Sequence, residues 1–195
     1  MWEREVIDTV TWPSYIARFN SLALDTNGIP CVVYCDDDIH NIFYACRLDS
    51  GWQKEIVDSG FFVAFGYSLI YDPNNIPHMS YYRVNEQNSQ NTLLCYAFRD
   101  SIGWHISAID TIVYRFPDCT EVKSSIVLDT LGLPNIAYIQ HDSTESQYIK
   151  YAHYNGETWE ISTVEYNGLI NSRDDGPILK FNKHSIPPYC IQAIL

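Results

Sequence analysis

The side chains best equipped for chemistry in this 195-residue chain sit between its regular segments. Trp12, Tyr15 and Tyr114 are aromatic, Arg115 and Arg173 are cationic, and Asp36, His40 and His141 offer polar groups. Rings cover the apolar faces of a sugar, while carboxylates and guanidinium groups bond its hydroxyls. These eight residues form the candidate ligand-binding set, and the ligand they suit is a carbohydrate or another small polar molecule. A catalytic pattern is missing. A sialidase-like site needs an arginine cluster with a nucleophilic tyrosine and an acidic partner. The seven arginines (Arg4, Arg18, Arg47, Arg83, Arg99, Arg115, Arg173) read as dissimilar in their positions. GxSxG, HExxH and phosphate-loop motifs are absent. The expectation is a non-catalytic binding module, with a protein-interaction or self-assembling scaffold as the alternative and a glycosidase-like enzyme behind both.

What must position those groups is a repeat. Ser21 to Asp58 reads SLALDTNGIPCVVYCDDDIHNIFYACRLDSGWQKEIVD; further versions begin at Ser68 with SLIYDPNNIPHMSYY and at Ser125 with SIVLDTLGLPNIAYI. Each parses into four short segments with apolar residues in alternation or short runs, the pattern of half-buried or buried strands. Asp25-Thr26-Asn27-Gly28, Asp72-Pro73-Asn74-Asn75 and Asp129-Thr130-Leu131-Gly132 separate the first two segments. Asn and Gly tolerate positive φ in such turns, and Asp bonds its own backbone there. A proline opens the second segment at Pro30, Pro77, Pro134 and Pro187, where it removes no ladder bond that the strand needs. Trp2, Trp52, Trp104 and Trp159 open the fourth and lie 50, 52 and 55 positions apart. Because Trp52, Trp104 and Trp159 recur in every blade, they read as blade-packing residues.

Four strands at about this period make one blade of a β-propeller. The expected fold is therefore all-β: a single propeller domain over 1–195, with about four blade equivalents of four-stranded antiparallel sheets. Blades are expected at 15–59, 67–111 and 124–166, with 177–195 supplying the inner strands of a closing blade and 1–9 its outer strand. That outer strand closes the ring within one chain or in a partner, so a homodimer joined by terminal strands is a second expectation. Inter-blade links and the loops between second and third strands share one face of a propeller, which is what gathers the eight candidate residues. Phe61, Phe62, Phe65 and Phe116 in those links read as plugs between blades.

A formal net charge of −12 repels nucleic-acid phosphates and anionic membranes, so neither partner is expected. No apolar run approaches the roughly 20 residues of a membrane span. No cofactor is expected. Asp36-Asp37-Asp38 is not repeated by Arg83-Val84-Asn85 or Gln140-His141-Asp142 and reads as a solvated turn. Six cysteines (Cys31, Cys35, Cys46, Cys95, Cys119, Cys190) show no zinc spacing. Cys46 on the third segment comes toward Cys31, yet reduced, partly buried thiols are the expectation, which points to a reducing compartment.

The phrases SLALDTNGIP, IPHMSYY, LGLPNIAYI and FYACRLDSGWQKEIVDS resemble the repeat of a widespread group of bacterial β-propeller proteins. The idealised unit of that group runs S-L-A-L-D-x-x-G-x-P-H-I-A-Y, then L-K-Y-A, then G-x-W and V-D. The similarity covers nearly the whole chain and specifies the blade, not a site. It implies a secreted or cell-surface setting, against the cysteine reading and without a signal peptide in MWEREVIDTV. Cys31 and Asn135 depart from the group where His78 keeps the usual residue.

Overall fold

The computed structural model describes residues 4–9, 16–36, 41–59, 64–84, 91–113, 123–141, 147–166, 177–181 and 189–193, and no helix occurs among them. The first sheet is an antiparallel meander of β1 (Ile16–Leu24), β2 (Pro30–Asp36), β3 (Asn41–Leu48) and β4 (Gly51–Ser59). The second repeats it with β5 (Ala64–Tyr71), β6 (Pro77–Val84), β7 (Asn91–Arg99) and β8 (Trp104–Val113). The third uses β9 (Ser124–Leu128), β10 (Pro134–His141), β11 (Gln147–Tyr154) and β12 (Trp159–Tyr166). A two-stranded sheet follows, β13 (Pro177–Phe181) with β14 (Tyr189–Ala193). Prolines open β2, β6 and β10, and tryptophans open β8 and β12.

The turns between first and second strands follow from one aspartate each. Asp25 Oδ1 accepts hydrogen bonds from Asn27 N and Ile29 N, Asp72 Oδ1 from Asn74 N and Ile76 N, and Asp129 Oδ1 from Leu131 N and Leu133 N. Burial would raise the Asp25 carboxyl, but the bonds from Ile29, Asn75 and Asn27 outweigh it and hold the group below its ordinary value. The fourth turn residue has a left-handed backbone: φ is 80° at Gly28, 79° at Gly132 and 66° at Asn75. Asparagine accepts this conformation at a cost that glycine avoids.

Second strands are buried on both faces because each is covered by a neighbouring blade. Cys31, Val33, Cys35 and Ile42 of the first blade pack with Leu69, Met79, Tyr81 and Cys95 of the second. Phe65, Tyr82, Leu94 and Ile112 of the second pack with Ile126, Ile136, Tyr138 and Ala152 of the third. Phe65 is buried in that boundary with its ring stacked on Tyr82. A bulge recurs at one place in each outer strand pair, between Ile42/Phe43, Leu94/Cys95 and Ile149/Lys150.

One expectation needs correction. Cys31 and Cys46 are joined in a disulfide, not reduced. The reason is register: the residue after the opening proline pairs directly with the residue six before the tryptophan, as His78 with Phe98 and Asn135 with His153. In the first blade both members of that pair are cysteines. Cys35 and Cys95 are buried outside this bond, and burial pushes the Cys95 thiol up to about 12. Cys119 lies outside the described residues. Arg4–Thr9 is in no sheet among the described residues and lies against the first blade, while β13 packs on β9 and β10 of the third.

Candidate functional site

Across the hairpin joining third and fourth strands, Arg47 pairs with Trp52, Arg99 with Trp104 and Tyr154 with Trp159. The first two pairs each meet a glutamate from the preceding strand segment. Arg99 Nε and Trp104 Nε1 both donate to Glu55 Oε1, at 2.5 and 2.9 Å, and Arg99 Nη2 reaches Glu55 Oε2 at 3.2 Å. Arg47 Nε and Trp52 Nε1 both donate to Glu5 Oε2, at 2.5 and 2.9 Å. The bond from Arg47 holds the Glu5 carboxyl below its ordinary range, and Glu55 in turn raises the Arg99 guanidinium. These groups stay in reach of solvent, with side-chain exposures of 35% and 44% for Arg47 and Glu5 and 41% and 38% for Arg99 and Glu55.

The third boundary has different chemistry. Ser107 and Tyr154 stand where the other two carry glutamate and arginine. Rings gather there instead: Tyr96 meets Trp159 edge-on at 5.4 Å, Tyr154 is tilted against Trp159, and Phe98 stacks on His105 at 4.9 Å.

Deeper in, a second brace recurs at all three boundaries. Asp8 accepts from Tyr34 Oη at 2.8 Å and Lys54 Nζ at 2.6 Å. Asp58 accepts from Tyr81 Oη at 2.6 Å and Arg83 Nη1 at 2.8 Å. Asp110 accepts from Tyr138 Oη at 2.7 Å and Lys150 Nζ at 3.4 Å. Burial opposes ionisation of Asp8, but its bonds from Lys54, Tyr34 and Thr9 prevail and hold it low. Burial, with the neighbouring Cys95 and Asp58, pushes the Tyr81 hydroxyl far above its ordinary value. Within the second blade, Tyr96 Oη meets buried His78 Nδ1 at 2.7 Å, and in the third Tyr151 donates to Asn135 Oδ1. In the first blade Cys31 is in the disulfide, and Tyr44 Oη turns to Tyr71 Oη of the next blade.

Of the eight candidate residues, two fall on described strands. Asp36 ends β2 and is buried, paired with Ile16 and Asn41, and His141 ends β10 opposite Gln147. Both strand ends are opposite those that carry the aspartate turns, which puts them at one edge of the fold. Trp12, Tyr15, His40, Tyr114, Arg115 and Arg173 lie outside the described residues, as do Phe61, Phe62 and Phe116. Glu5, Arg47, Glu55 and Arg99 were not among the candidates. Their signal is spacing: each arginine stands five residues before a tryptophan, and each glutamate three residues after one. Arg47 and Arg99 therefore occupy the same repeat position, which corrects the reading of the arginines as dissimilar. Among the described residues no group of three or more His, Cys, Asp or Glu side chains is arranged to hold a metal ion, and no helix is long and apolar enough to cross a membrane.

Neither a family model nor a curated protein matches the sequence. Solved structures match its fold. A fucose lectin from Kordia zhangzhouensis in complex with methyl-fucoside superposes with a TM-score of 0.52 at 14% identity, covering 76% of this chain and 100% of that one. AofleA from Arthrobotrys oligospora gives 0.52 at 10% identity, covering 80% of this chain and 44% of its own. A thermostable family-43 glycoside hydrolase gives 0.50 at 12% identity, covering 83% of this chain and 60% of its own. The fold is a β-propeller. Its blades are the three four-stranded sheets, and its boundaries carry the polar clusters described above.

Proposed function

We propose that this propeller is a non-catalytic carbohydrate-binding module and that its sugar sites include the two Arg–Glu–Trp clusters. The observation that carries the reading is the recurrence of one partly exposed set, Arg47 with Glu5 and Trp52, then Arg99 with Glu55 and Trp104. A guanidinium has five N–H donors, more than one carboxylate uses, so donors are left for sugar hydroxyls. The carboxylate accepts hydroxyl hydrogen bonds, and the indole offers a face for the apolar side of a pyranose. Exposed ion pairs contribute only about 0–1 kcal/mol to stability, which makes bracing a weak reason for both clusters. The fold shared with the fucose lectin supports the ligand class. Trp12, Tyr15, Asp36, His40, Tyr114, Arg115, His141 and Arg173 form a second candidate surface, and a secreted or cell-surface setting accords with glycan recognition.

A glycan array followed by calorimetry on the best saccharide tests this. The Arg47→Ala/Arg99→Ala double variant is expected to lose at least about tenfold in affinity while keeping its circular-dichroism spectrum. Wild-type affinity in that variant, with loss in Trp12→Ala instead, would move the site to the loop face. No array signal for the wild type overturns the reading, and cleavage of a bound saccharide overturns its non-catalytic part.

A further inference from the structure

We propose that the boundary between the second and third blades binds a small organic ammonium ion, a ligand class that the Arg–Glu–Trp clusters do not serve. Between the first and second blades, Tyr44 meets Trp104 edge-on at 5.3 Å, and Arg99 shares Glu55 with that tryptophan. Glu55 is the strand partner of Tyr44, and Arg99 that of Trp104. Tyr96 and Trp159 repeat the edge-on pair at 5.4 Å between the second and third blades. Here the strand partner of Tyr96 is Ser107, and that of Trp159 is Tyr154. The ring pair is kept, while the guanidinium and its carboxylate are replaced by a phenol and a hydroxyl.

Rings from both blades line this boundary. Tyr154 is tilted on Trp159 at 5.4 Å, Phe98 stacks on Tyr96 at 6.0 Å, and His105 stacks on Phe98 at 4.9 Å. Tyr96 is buried, Phe98, Tyr154 and Trp159 are half-buried, and His105 and Ser107 are exposed, so the ring cluster opens on solvent. Aromatic faces carry partial negative charge and hold organic cations. Carboxylates add to that field: Asp72 acts on both His78 and Tyr96, and Asp100 meets His105 Nε2 at 2.8 Å. The described lysines and arginines of these two blades are committed elsewhere. Arg83 pairs with Asp58, Arg99 with Glu55 and Lys150 with Asp110, while Lys123 stands before β9, where its carbonyl accepts from Tyr82. Beneath the rings His78 is 8% exposed, stacks on Tyr96 and Phe98, and is kept neutral by burial. Its Nε2 meets no partner among the described residues. With Nδ1 donating to Tyr96, Nε2 keeps a lone pair, which favours positive charge nearby.

Choline is the probe, and dimethylbutanol, its neutral carbon isostere, is the control for shape. In NMR titrations of the full chain, choline is expected to shift the Trp159 indole N–H, and dimethylbutanol to bind at least about tenfold more weakly. Tyr154→Arg with Ser107→Glu installs the groups of the other clusters and is expected to abolish the choline shift with an unchanged circular-dichroism spectrum. If that double variant misfolds, Trp159→Phe decides: it keeps a ring in place and is expected to weaken choline binding several-fold. The probe carries no sugar, so a chain that binds no saccharide is still expected to bind it, and the two readings fail separately. No shift at Trp159, equal binding of the neutral isostere, or choline binding that survives these substitutions overturns the proposal.

Discussion

Tyr81 donates its hydroxyl to Asp58 across the boundary between the first and second blades, and the Asp58 side chain is only 9% exposed. Arg83 Nη1 reaches the same oxygen. Replacing Tyr81 by Phe leaves a nearly buried carboxylate one donor short, a loss of about 1–3 kcal/mol. Urea unfolding is expected to show a larger loss for Tyr81→Phe than for Tyr34→Phe, because Asp8 is the more exposed acceptor. Equal midpoints for Tyr81→Phe and wild type would remove the brace as a source of stability.

Asn75 presents a contest between backbone and side chain. Its φ of 66° favours glycine, the residue at the matching positions Gly28 and Gly132. Its amide, however, spans two blades: Oδ1 accepts from Thr26 N and Thr26 Oγ1, each at 2.8 Å, and Nδ2 donates to Asp25 Oδ2 at 3.1 Å. Three lost bonds at about 0.5–1 kcal/mol each exceed the roughly 1 kcal/mol recovered from the backbone. Asn75→Gly is therefore expected to lower the melting temperature, and a rise would show that the turn conformation dominates.

Burial holds the His78 imidazole below its ordinary value, against a smaller opposite pull from Asp72. The folded state keeps it neutral, while the unfolded chain protonates below about pH 6.5, so stability is complete above that pH and falls below it. His78→Asn installs the residue that serves the third blade, where Asn135 accepts from Tyr151. Between pH 7 and pH 5 the wild type is expected to lose more stability than the variant in urea titrations. Glu5, Asp8, Asp25 and Asp100 are held below the ordinary carboxylate range, so both proteins lose a further contribution only as pH drops under about 4. Parallel curves between pH 7 and pH 5 would show that His78 does not titrate with folding.

The blades were legible because their marks are local. A proline, an aspartate turn and a tryptophan act within a few residues of themselves, so β2, β6, β10 and the turns at Asp25, Asp72 and Asp129 are found where those residues stand. The boundary clusters were not legible in the same way. Glu55 and Trp104 are 49 positions apart, and their meeting depends on how one blade is rotated on the next. A search for a convergent arginine group passes over Arg47 and Arg99, which serve separate boundaries. The disulfide hid for a related reason, since Cys31 meets Cys46 only in the register set by the hairpin between β2 and β3.

Arg4–Thr9, β4 and β8 each present their carboxylates to the blade that follows, which separates the unit of folding from the unit of shape. Severing the chain in the link after Ser59 parts Glu55 from Arg99 and Asp58 from Tyr81. Severing it in the hairpin between β3 and β4 keeps Glu55 with Arg99 and Asp58 with Tyr81, and parts only Trp52 and Lys54 from Glu5 and Asp8 among these bonds. The module that keeps these ion pairs and tyrosine bonds together therefore begins at an outer strand and ends three strands later, one strand out of phase with the visible blade. Duplication or excision in that phase carries Glu55 with Arg99, and Asp58 with Tyr81 and Arg83, and leaves only the Trp104 donor to the next module.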